Sequence, residues 1–197
     1  MKKLAVLISL LTLTMATFSQ ISDFGFRNAR WGVSPDQVKK TESGVKWQES
    51  ESDYGPVLYF ETEIALLEAR ALFYFVKNSF EKGTYLITEE HADVRQYLID
   101  HNTLKEILSK KYGKPSEEKE IWLNDLYKND RQKWGIAISK GHLILTSTWE
   151  EAVDTQGIVK LTLTGDNNNV DLNIQYESPG YAKATDALKK KIQYDVF

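Results

Sequence analysis

Residues 159–176 read VKLTLTGDNNNVDLNIQY. Val159, Leu161 and Leu163 alternate with Lys160 and Thr162; after a polar turn, Val170, Leu172, Ile174 and Tyr176 alternate with Asp171, Asn173 and Gln175. A period of two, apolar on one side and polar on the other, marks an antiparallel hairpin with one packed and one wet face. Gly165 to Asn169 supply residues that tolerate the left-handed backbone of its turn. The same period runs upstream. Trp134, Ile136 and Ile138 alternate, as do Leu143, Leu145 and Trp149, with Lys140-Gly141 read as the turn between them. From Glu118 onward the expectation is a meander of about five strands.

Working toward the N-terminus, the period changes to that of a helix. Val94, Leu98, Leu104, Ile107, Leu108 and Tyr112 recur near helical spacing and predict a long helix from about Glu89 to Tyr112. Lys110 and Lys111 suit its negative end, Gly113 its left-handed cap, and Pro115 blocks continuation. Before it stand three strand-like runs, Val57 to Phe60, Ala71 to Val76 and Tyr85 to Ile87, the last two joined by a Lys77-Asn78-Ser79 turn. The run from Ala71 to Val76 is apolar on both faces and belongs near the centre of the sheet. Earlier still, Ser34 caps a short helix with Pro35 first and Gln37 placed to reach back, flanked by Val33 and Val38 at staple positions.

Helices and strands are thus grouped, which predicts an α+β fold: an antiparallel meander sheet with a long helix and one or two short helices packed on one face. Residues 20–197 read as a single domain, with helix-plus-strands units over 24–87 and 88–177 and a C-terminal helix over 179–193. Residues 1–19 read as a cleaved signal peptide. Lys2 and Lys3 precede an apolar run from Leu4 to Met15, too short to span a bilayer, and cleavage is expected near Ser19-Gln20. The expected location is periplasmic or secreted, without a membrane anchor.

The chain holds 25 basic and 28 acidic side chains and no Cys. Removal of Lys2 and Lys3 with the leader leaves 23 basic residues against the same 28 acidic ones, which disfavours nucleic acid and anionic lipid as partners. Without Cys there are no disulfides, no thiolate catalysis and no lipid-bearing residue.

Two resemblances follow from quoted motifs. Phe26-Arg27-Asn28-Ala29-Arg30-Trp31-Gly32-Val33-Ser34, followed by Val38-Lys39-Lys40, resembles the opening of many small exported bacterial proteins of unknown function. Lys111-Tyr112-Gly113-Lys114-Pro115 and the stretch from Trp134-Gly135 to Trp149 are similar to later parts of such chains. The repeated helix-then-strands unit resembles the architecture of the β-lactamase inhibitor protein and of the small lipoprotein of the outer-membrane barrel assembly machinery. This chain lacks that lipoprotein's Cys, and no functional residue carries over. The resemblance implies a binding surface built from a sheet and its loops, without catalysis.

The chemistry-bearing residues give little else. His91 and His101 are ten apart, off one helical face, and His142 has no Ser or Asp tied to it by sequence, so all three read as surface or hydrogen-bonded histidines and no metal framework is expected. Asp166, Asn168 and Glu177 match three calcium-loop positions, but Asp171 stands where that loop needs Gly. The acidic pairs Glu89-Glu90, Glu117-Glu118 and Glu150-Glu151 place neighbours on opposite strand faces or serve helix starts, and a catalytic residue is not assigned. No cofactor is expected. The aromatics Trp122, Tyr127, Trp134 and Trp149 are the candidate binding residues. Strand parity favours burial of Trp134 and Trp149; Trp122 and Tyr127 flank a charged loop and are freer to face solvent.

The expected function is a non-catalytic protein-binding module that engages an envelope or extracellular protein. The alternatives are an envelope glycan or peptide hydrolase using carboxylates near Glu118, Glu120 and Asp125, and a carrier of a small apolar ligand.

Overall fold

The structure, a computed structural model, describes residues 25–152 and 155–194. The expected leader and its cleavage point lie outside the described residues. The fold is α+β. After a two-stranded hairpin, β1 (Gly25–Phe26) and β2 (Ala29–Arg30), come α1 (Pro35–Lys39), β3 (Gln48–Ser52), β4 (Gly55–Ile64), β5 (Leu67–Val76) and β6 (Ser79–Ile87). Then follow α2 (Arg95–Tyr112), β7 (Glu117–Trp122), α3 (Trp134–Ser139), β8 (Leu143–Ala152), β9 (Gly157–Asp166), β10 (Asn169–Glu177) and α4 (Tyr181–Tyr194).

β3 to β10 form one eight-stranded sheet in the order 3-4-5-6-10-9-8-7, antiparallel throughout. Each meander ends at the middle, where β6 and β10 pair, and begins at an outer edge. Two-residue turns close the β5–β6, β9–β10 and β4–β5 hairpins, with positive φ at Lys77 and Asn78, at Asn167 and Asn168, and at Ala65 and Leu66, the geometry that matches strand twist. The α1 cap forms as its sequence predicts: Ser34 accepts from the Gln37 N–H while the Gln37 side chain accepts from the Ser34 N–H.

Cross-strand register settles which residues face the helices. Val159, Leu161 and Leu163 stand opposite Tyr176, Ile174 and Leu172, then opposite Trp149, Ser147 and Leu145 on the other side. This face is buried and carries α2, whose Leu104 and Leu108 sit in the core. The β1–β2 hairpin packs on the same face. Phe26 lies within 5.2 Å of Phe73, 4.8 Å of Tyr85 and 5.1 Å of Tyr176, ring centre to ring centre. Gly83 is required beneath it, since a Cβ there would come within 2.2 Å of the Phe26 ring. Full burial of side chains such as Phe73 and Leu161 contributes about 1.5–3 kcal/mol each. The other face carries Thr162, Thr164, Asn173 and Gln175, half-buried or wetter. α4 begins on that second face: Lys82 lies over the rings of both Tyr74 and Tyr181, at 5.1 and 5.6 Å.

Four elements differ from the sequence reading. Trp134 to Ile138 form α3, not a strand, so the second meander has four strands. Trp134, Ala137 and Ile138 face inward at helical spacing while Ile136 is exposed; a short apolar run cannot be assigned by period alone. Gly141, at φ 74°, therefore joins a helix to β8 and is not a hairpin turn. The polar run Gln48–Ser52 is an edge strand whose alternation is masked because its residues are exposed. α2 starts at Arg95 instead of Glu89.

Candidate functional site

The segment after β7 folds back over the end of the sheet. Asn124 caps a short 3-10 turn, Asp125–Tyr127, by accepting from the Leu126 N–H at 3.0 Å, and Asp130 caps a second, Arg131–Lys133, by accepting from Gln132 at 3.2 Å. The second turn runs directly into α3. The reversal brings Trp134 edge-to-face against Trp122, with ring centres 5.5 Å apart and planes at 73°. The Trp134 indole N–H donates to the Lys128 carbonyl at 3.3 Å, and the Arg131 guanidinium lies 5.0 Å over its ring. Tyr127 stacks on His142 at 5.8 Å and 20°. Beside these rings Leu123 and Leu126 are 67% and 68% exposed.

Three of the four candidate aromatics, Trp122, Tyr127 and Trp134, therefore share one end of the sheet, each half-buried. Trp149 does not. It is 2% exposed and donates its indole N–H to the Gly113 carbonyl at 2.9 Å, tying the end of α2 to β8. Its burial agrees with its strand parity. Trp134 is only partly covered because it sits on a helix and not in a strand.

Next to this aromatic end lies a cleft of about 530 Å³. α2 lies over β8, β9 and β10, and the edge strand β7 beyond them stays exposed from Glu117 to Ile121. Leu98, His101, Asn102 and Lys105, at helical spacing, form one wall; Glu118 and Glu120 of β7 form the other; Leu145 and Ser147 form the floor; Arg131 and Trp134 close one end. Lys105 bridges the walls with an ion pair to Glu118 at 2.9 Å. Of the three carboxylates named from sequence, the cleft gathers Glu118 and Glu120. Asp125 is outside it, exposed and paired with Lys128 at 3.1 Å.

His101 is 3% exposed and neither ring nitrogen has a hydrogen-bond partner. This corrects the reading of it as a surface or hydrogen-bonded histidine. Desolvation is the main cause that lowers its pKa from 6.5 to about 4, and the charge of Lys105 lowers it further. Ser147 and Glu118 face each other across the strands, and His101 lines the same cleft. His101 is hydrogen-bonded to neither, so the relay that activates a serine is not formed. His91 does have a partner, Asp100 at 2.5 Å.

The sequence had offered Glu118 and Glu120 but missed Asn102, Lys105 and Arg131. The available signal was the set at 98, 101, 102 and 105, which places polar groups on the inward face of α2.

A smaller polar hollow at the other end of α2 is lined by Arg27, Tyr85 and Tyr176 among others. Arg27 donates to both carboxylate oxygens of Glu42, at 2.8 and 3.1 Å, and that hydrogen bonding raises its pKa. Burial raises the Tyr176 phenol as well. Asp166, Asn168 and Glu177 belong to the β9–β10 hairpin. Among the described residues no group of three or more His, Asp or Glu side chains could hold a metal ion, and no helix is long and apolar enough to cross a membrane.

The chain matches no known protein family, no curated protein and no solved structure.

Proposed function

We propose that this protein is an exported, non-catalytic protein-binding module whose envelope or extracellular partner docks on the aromatic end of the sheet. The observation that carries the reading is the exposure of Leu123 and Leu126 beside the Trp122–Trp134 pair. Scattered exposed leucines need no explanation, but apolar side chains grouped around half-buried aromatics and rimmed by charge have the composition of an interface centre. Lys128, Lys133, Asp125 and Asp130 supply that rim. The segment is held by two caps and a stacked ring, so it is presented without a large ordering cost. The α2–β7 cleft is lined in part by charged groups, which disfavours a wholly apolar ligand there.

The test is capture of partners from an envelope extract by the wild-type chain and by Leu123→Asp and Leu126→Asp. Both side chains are exposed, so the variants keep the fold, checked by circular dichroism. A charge placed in an interface centre weakens binding by about tenfold or more. A captured set unchanged in both variants overturns the proposal.

A further inference from the structure

The charges lining the α2–β7 cleft are compensated in all but two places. Lys105 pairs with Glu118 at 2.9 Å, and Lys119, whose side chain leaves on the other face of β7, pairs with Glu117 at 2.7 Å. Glu120 and Arg131 remain. Among the described residues neither has an ion-pair partner, and Arg131 is held only by its stacking over Trp134. The cleft thus presents one uncompensated carboxylate and one uncompensated guanidinium, with Leu98, Leu145 and Trp134 as its apolar lining.

We propose that this cleft is a binding site for a short zwitterionic peptide with apolar side chains. The Glu120 carboxylate accepts from the peptide's terminal ammonium. The Arg131 fork donates to its terminal carboxylate, the geometry for which a guanidinium is suited. The apolar walls take the side chains. A neutral sugar would leave both charges unmatched, a dianion would be repelled by Glu120, and a dication by Arg131. A volume of about 530 Å³ lies in the range of sites for drug-sized molecules, roomier than a single amino acid needs. The site shares Trp134 with the docking surface but includes neither Leu123 nor Leu126, and it does not require a folded partner.

The experiment titrates the full chain with leucyl-leucine, followed by calorimetry and by tryptophan fluorescence. Saturable binding is expected, weakened about tenfold or more by Glu120→Gln, by Glu120→Lys and by Arg131→Gln. N-acetylation of the probe should weaken wild type equally and cost nothing further in Glu120→Gln; C-terminal amidation should behave likewise toward Arg131→Gln. Leu123→Asp should bind the dipeptide as wild type does, which separates this site from the docking surface. The proposal is overturned by absence of saturation at about 10 mM probe. It is equally overturned by blocked probes that bind as well as the free one, or by maltose saturating the site where leucyl-leucine does not.

Discussion

Replacing His101 with Leu should remove most of the acid sensitivity that this one side chain imposes on the fold. The imidazole is 3% exposed and neither ring nitrogen has a well-formed hydrogen bond, so folding takes it from water into surroundings that compensate it poorly. Burial lowers its pKa from 6.5 to about 4; Lys105 acts in the same direction, while Asn102 and Glu118 oppose. Above the unfolded value both states are neutral there and the group adds no pH dependence. Between the two values the unfolded chain takes up a proton that the folded chain refuses, and stability falls as pH falls. Below the folded value both are protonated and the loss levels off. A depression from 6.5 to about 4 corresponds to about 3 kcal/mol in full, most of which is lost by about pH 4.5. That is a large part of the 5–15 kcal/mol typical of a domain.

The assay is urea unfolding followed by tryptophan fluorescence, on wild type and His101→Leu, at steps from about pH 7.5 to about pH 4.5. The informative quantity is the difference between the two proteins, since every other side chain is common to both and its contribution cancels. At the upper end the variant should be at least as stable as wild type, because two buried unpaired nitrogens are gone. The gap should then widen in the variant's favour by about 2–3 kcal/mol toward the acid end. Parallel profiles, within about 0.5 kcal/mol over the whole range, would show that His101 is hydrated or hydrogen-bonded in solution and refute the reasoning.

Two substitutions test the core beside the sites. Gly83→Ala places a Cβ within 2.2 Å of the Phe26 ring and 2.6 Å of its Cβ, so the β1–β2 hairpin must lift; a loss of about 1–3 kcal/mol in thermal or urea unfolding is expected. Trp149→Phe removes the hydrogen bond to the Gly113 carbonyl and leaves a gap between α2 and β8. It should cost at least about 1 kcal/mol while leaving both partner capture and dipeptide binding unchanged, a result that would confirm Trp149 as a core residue rather than a contact.

The α+β class was legible because both meanders and the long helix repeat their period over several turns or strands. The hairpin from Val159 to Tyr176 shows why: every inward residue meets another across the register, so alternation survives intact. Legibility failed where a segment was short or answered to its surroundings. Trp134 to Ile138 alternates by composition, yet the preceding capped turn and the buried Gly135, where a Cβ would meet the Val94 carbonyl at 2.8 Å, set it as a helix against α2. Trp122, Tyr127 and Trp134 were legible as candidates, but their meeting depends on the reversal at Asn124 to Lys133, which no spacing encodes. The cleft was less legible still, since Arg131 and Asn102 become neighbours only through tertiary packing.

Glu118 and Glu120 show how one structural need can prepare another. β7 is an edge strand, and charges on its inward-facing positions discourage a second chain from adding to the sheet. They are tolerated there because β7 stays exposed at the margin of α2, and the same exposure opens the cleft. Edge protection is indifferent to the sign of the charge; recognition of an ammonium is not. Glu120→Lys preserves the first and reverses the second, so a variant that stays folded in the wild-type oligomeric state yet no longer takes leucyl-leucine would separate the two roles on a single side chain. Lys105 sharpens the distinction, because by pairing with Glu118 it leaves Glu120 as the one carboxylate of that wall still open to a ligand's charge.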